Sequence, residues 1–111
     1  MEELRFCYIT TETPAEAEAI GRTLVEERLA ACVNIIDRMR SFYWWEGTVT
    51  EGRETVLIAK TRAALVEALT ARVRALHSYS VPCVVALPIV AGNPDYLAWL
   101  AGETPLPPGD A

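Results

Sequence analysis

The stretch from Ala31 to Thr61 constrains this chain more than any other. Its first arm, Cys32-Val-Asn-Ile-Ile-Asp-Arg-Met-Arg-Ser-Phe-Tyr-Trp-Trp45, is dominated by residues that favour extended backbone. Its second arm reads Glu54-Thr-Val-Leu-Ile-Ala-Lys60, and Gly47 and Gly52 in the connection suit positive-φ turn positions. The pattern predicts one long β-hairpin. At about 3.3 Å per residue the first arm spans roughly 40 Å, whereas a compact domain of this size has a radius of gyration of about 13 Å. The hairpin is therefore expected to project beyond its own core, tipped by Phe42, Tyr43, Trp44 and Trp45. Exposed aromatic clusters and unpaired strand edges are surfaces that proteins cover. Self-association follows as the first expectation, with Phe42, Trp44 and Trp45 at the contact.

Around the hairpin the order of elements is legible. Leu4 to Thr11 reads as a strand with Leu4, Phe6 and Tyr8 on one face and Arg5 and Cys7 on the other. Thr13-Pro14-Ala15-Glu16 reads as a helix start, with Thr13 as N-cap, Pro14 at the first helical position and Glu16 closing a capping box. That helix is expected to run to about Arg28, and a second from about Arg62 to His77. Cys83 to Leu87 reads as a strand that Pro88 confines to an edge. Asn93-Pro94 opens a short third helix, with Gly102 as its C-cap. Residues 1–102 form one domain on this reading, and 103–111 a Pro-rich tail. The order β-α-β-β-α-β plus a terminal helix is the α+β, ferredoxin-like arrangement. With both main helices on one face, the other face of the antiparallel sheet is left apolar and needs a partner.

Charge and composition narrow the partners. A net charge of −5 disfavours nucleic acid, which needs a basic face. No apolar run reaches the roughly 20 residues of a membrane helix, and Met1-Glu-Glu-Leu-Arg-Phe6 carries no basic leader, so the expected location is the cytoplasm, without a membrane partner. Cys7, Cys32 and Cys83 form no C-x-x-C pair, and no phosphate-binding glycine loop occurs.

The chemistry-bearing residues are few. His77, the only histidine, reads either as a metal ligand or general base, or as a helix C-terminal residue favoured by the macrodipole. Cys7 and Cys83 with His77 offer the soft donors that suit copper or zinc, or are three unrelated groups. The aromatic cluster reads either as interface packing or as a surface for a planar ligand. No activated nucleophile or acid–base pair is visible, so no enzyme activity and no organic cofactor are expected.

Several stretches carry a resemblance. Leu24-Val-Glu-Glu-Arg-Leu-Ala-Ala-Cys-Val-Asn34, Ser41-Phe-Tyr-Trp-Trp-Glu-Gly47, Thr55 to Thr61, His77-Ser-Tyr-Ser-Val-Pro82, Leu87-Pro-Ile89 and Asn93-Pro-Asp-Tyr-Leu-Ala-Trp-Leu100 together resemble the CutA divalent-cation tolerance proteins. The resemblance covers about residues 4 to 101. It implies a homotrimer of ferredoxin-like subunits, similar in architecture to PII signalling proteins, with inter-subunit clefts and a link to copper or another divalent cation. Cys83 stands where the family has glutamate, Ser78 where it has proline, and Ile9 where it has a strand-one cysteine. Of a Cys, His and Glu ligand set only His77 carries over directly, with Cys7 and Cys83 as candidate substitutes. The alternative is a PII-like trimer that binds a small metabolite or nucleotide in a cleft lined by Tyr43, Trp45, Lys60 and Tyr79.

Overall fold

The strand Leu4–Thr11 (β1) has a backbone ladder on both sides: Cys7 lies opposite Ala59 on one neighbour and Ala86 on the other. It is therefore interior to its sheet. In the computed structural model, which describes residues 3–107, β1 is followed by α1 (Pro14–Glu26), β2 (Cys32–Trp45), β3 (Thr48–Arg62), a short 3-10 turn (Ala63–Leu65), α2 (Val66–Leu76), β4 (Val84–Pro88) and α3 (Pro94–Glu103). The four strands form one antiparallel sheet in the order β2-β3-β1-β4. This is the expected βαββαβ arrangement, with β4 at an edge.

Local chemistry starts and stops the helices. Thr13 Oγ1 accepts the Glu16 N–H at 3.2 Å, and Pro14 occupies the first helical position. The Glu16 carboxylate caps back to the Glu12 N–H at 3.2 Å, one residue upstream of the expected capping-box partner. α1 stops at Glu26 rather than Arg28, because Arg28 turns to φ 62° and Leu29 N–H bonds back to Leu24 O at 2.9 Å. Ala17, Ile20 and Leu24 of α1 and Leu69 and Val73 of α2 then bury against Cys7, Ile9, Leu57 and Ala59. Gly21 has a packing reason. A Cβ there would lie 3.0 Å from Leu57 Cδ1 and 3.1 Å from Val33 Cγ2, so glycine lets α1 ride close to the sheet.

The core therefore takes the Cys7 and Ile9 side of β1, not the side of Leu4, Phe6 and Tyr8. A period of two is satisfied by either phase, and only the helices choose. The opposite face is covered at one end by α3. Arg62, the partner of Leu4, donates to the Ala101 and Thr104 carbonyls there. Thr104 is buried and its hydroxyl donates to Leu100 O at 2.9 Å, and Gly102 lies inside α3. The ordered body thus runs past the boundary expected at 102; residues 108–111 of the tail lie outside the described residues.

The hairpin spans the expected stretch, but its second arm is longer and its turn shorter than the sequence suggested. Only Glu46 and Gly47 form the turn, both at positive φ (50° and 78°), the two-residue geometry that matches strand twist. The second arm begins at Thr48 rather than Glu54. Gly52 is therefore not a turn residue. It sits opposite Ser41, where a Cβ would lie 3.2 Å from the Tyr43 ring, so its bare backbone makes room for that ring. The chain measures 47 × 28 × 24 Å along its principal axes.

Candidate functional site

A β-bulge decides which way the hairpin tip faces. Ile36 pairs with Val56, but the next partner pair is Met39 with Glu54, so β2 carries one extra residue there, and Arg38 takes φ 66°. One extra residue reverses the alternation. Before the bulge the even-numbered residues of β2 share the face of Tyr8 and Thr10; after it, Met39, Ser41, Tyr43 and Trp45 do. Tyr8 Oη donates to Met39 Sδ at 3.1 Å, and Ser41 Oγ donates to Glu54 Oε1 at 2.7 Å. With the loop after α2, these residues enclose an open cleft of about 930 Å³. Its lining includes Tyr8, Glu12, Tyr43, Trp45, Glu54, Tyr79 and Cys83. Volumes of this size are typical of small-molecule sites.

The wall formed by residues 78–81 is pinned from behind. The His77 side chain is fully buried. Its Nδ1 accepts the Tyr79 N–H at 3.0 Å, which leaves the proton on Nε2 to be donated to Thr10 O at 2.7 Å. The His77 and Tyr79 rings are 4.8 Å apart. Glu16 Oε2 lies 3.8 Å from His77 Nδ1 and accepts the Ser78 N–H at 2.7 Å. Burial alone raises the Glu16 carboxyl, but the hydrogen bonds from Ser78 and Glu12 hold it below the usual carboxylate range.

Carboxylates act on the hydroxyls and the thiol of the cleft. Partial burial, then Glu54 and Glu12, push the Tyr79 hydroxyl above its ordinary range. Burial, Cys83 and Glu54 do the same to Tyr8. Burial and Glu54 raise the Cys83 thiol, with the Thr10 hydroxyl opposing. Arg40, a cation in the lining, is paired to Glu51 at 2.9 Å.

Of the residues singled out in the sequence, Tyr43, Trp45, Tyr79 and Cys83 meet in this cleft. Lys60 does not line it: its Nζ donates to Tyr96 Oη of α3 at 3.3 Å. Cys7 points to the opposite face of the sheet, into the core, where burial pushes its thiol up to about 11. His77 stands behind the wall with both ring nitrogens committed. One subunit thus does not assemble His77, Cys83 and Cys7 around one point. Among the described residues no three His, Cys, Asp or Glu side chains form a metal-holding group. Glu54, Glu12 and Tyr8 were not singled out in the sequence. Their only signal is the Asp37-Arg38 break in the apolar run of the first arm, which marks the bulge that gathers them.

Residues 5–103 match the family of the CutA1 divalent ion tolerance protein. The chain belongs to this family. The divalent-cation tolerance protein CutA of Thermus thermophilus is 48% identical over 104 residues, covering 94% of this chain and 99% of that relative. The rice protein CutA 1, chloroplastic, is 46% identical over 97 residues, 87% of this chain and 55% of the relative, so this chain spans about half its length. The crystal structure of CutA1 from Oryza sativa matches at a TM-score of 0.91 and 43% identity, over 94% of this chain and 95% of that one. The sheet, the long hairpin and the terminal helix described above are thus the architecture of a CutA1 subunit.

Proposed function

We propose that this chain works as a homotrimeric divalent-cation tolerance protein that binds a soft divalent ion, copper or zinc, between subunits. Cys83 and Glu54 supply part of the ligand set, and the partner subunit or water completes it. The observation that carries this reading is that one cleft is lined by both a thiol, Cys83, and a carboxylate, Glu54, whose charge acts on that thiol. A thiolate is the soft donor such ions prefer. Binding displaces the Cys83 proton, so affinity should rise with pH. His77 supports the wall and is not itself a ligand in this scheme. Assembly is supported by the exposed Phe42, Trp44 and Trp45 and by the apolar sheet face that α3 covers only at one end. The carboxylates of the cleft weigh against a nucleotide, whose phosphates they would repel.

Calorimetric titration of reduced, chelator-treated protein with Cu(II) and Zn(II) tests the reading. Cys83→Ser should weaken binding by more than about tenfold, while His77→Asn, which keeps an acceptor for the Tyr79 N–H, should retain most of it. Affinity unmoved by Cys83→Ser overturns the site. Sedimentation equilibrium of the same samples tests the trimer.

A further inference from the structure

A hydrated metal ion leaves most of this cleft unexplained. Its volume of about 930 Å³ compares with about 30 Å³ for a water molecule. Four aromatic residues, Tyr8, Tyr43, Trp45 and Tyr79, share the lining with the carboxylates of Glu12 and Glu54. Gly52 makes room for the Tyr43 ring, and the His77 ring lies 4.8 Å from that of Tyr79. Arg40, in the lining, is paired with Glu51, while Arg38 and Arg53 share the adjoining pocket with Asp37, Glu12 and Glu54. Aromatic faces carry negative potential and attract cations, and a nearby carboxylate adds to that attraction. A neutral apolar ligand would use the rings but leave the carboxylates desolvated. An anion would meet Glu12 and Glu54. A cation with a carbon skeleton uses both.

We propose that this cleft binds a small organic ammonium ion, its charged nitrogen near Glu54 and Glu12 and its carbons against Tyr43, Trp45 and Tyr79. This reading goes beyond metal binding. It gives the chain a second ligand class, and competition between an ammonium and a metal ion for Glu54 would link the two.

The probe is n-butylammonium, titrated into the assembled wild-type protein and followed by NMR, with n-butanol as the uncharged control of similar shape. Saturable binding is expected, with the methylene protons next to nitrogen shifted upfield by the ring currents. Tyr43→Ala should weaken it by about tenfold, Tyr43→Phe should restore it, and Glu54→Gln should weaken it by a similar factor. Equal binding of butanol, absence of the upfield shift, or indifference to Glu54→Gln overturns the proposal. So does a wild type that binds no butylammonium because the partner subunit fills the cleft. A parallel Zn(II) titration keeps the two readings separate. Zinc without butylammonium rejects the ammonium site alone, and butylammonium without zinc rejects the metal site alone.

Discussion

On the face of the sheet under α1 and α2, Cys7, Ile9, Leu57 and Ala59 are fully buried. On the other face of the sheet, in the edge strands, Ile36 of β2 is 54% exposed and Leu87 of β4 49%, and at the hairpin tip Trp44 is 74% exposed. Both faces are rich in apolar side chains. One is completed by the chain's own helices, the other only at its α3 end. Burial is concentrated where two helices close over the sheet, and the cleft lies on the face that the chain leaves partly open.

The largest effect is expected at the covered face. Leu57→Ala should cost about 3 kcal/mol in urea unfolding, because it removes buried volume that the Gly21 contact cannot collapse to fill. A loss well under 1 kcal/mol would mean that this face does not carry the fold. At the open face Trp45→Glu should leave the subunit folded but weaken assembly by about 2 kcal/mol or more, read by sedimentation equilibrium. Unchanged association would remove the tip from the interface.

The wall between the two faces is sharpened by Glu16→Gln, with an expected loss of about 1–2 kcal/mol at neutral pH. The sign with pH follows from the lowered Glu16 carboxyl. Its contribution is present above the ordinary carboxylate range and is lost as pH falls through the folded value, so the variant should show a shallower acid limb than the wild type. The smallest effect concerns the thiols. Cys83 should be alkylated first, and Cys7 only on unfolding. The raised value of about 11 at Cys7 adds stability that is full below the ordinary thiol range and declines as pH rises toward that value. Mass spectrometry after timed labelling would reveal the reverse order.

Much of the fold was legible because its signals are local. Thr13-Pro14 and Asn93-Pro94 start helices through hydrogen bonds that span two or three residues. The hairpin was legible from its β-rich arms, although Gly52 was misread: a glycine that makes room for a ring looks in sequence like one that makes a turn. The cleft was half legible. Tyr43, Trp45, Tyr79 and Cys83 were visible as unusual residues, but Glu54, Glu12 and Tyr8 join them only through the bulge at Asp37-Arg38. Lys60 was misplaced because nothing near it in the chain announces Tyr96, which is 36 residues away.

The sequence by itself determined the order of elements, the helix starts, the overlong hairpin and the acidic balance, since each depends on neighbours within a few positions or on a sum over the chain. Only the tertiary structure decided which side of β1 is core, which side of the hairpin lines the cleft, and what His77 does. Alternation along a strand has two equivalent phases, and one inserted residue exchanges them. The acceptor that fixes the His77 ring is the carbonyl of Thr10, 67 residues away, a contact that exists only once α2 has packed over the sheet.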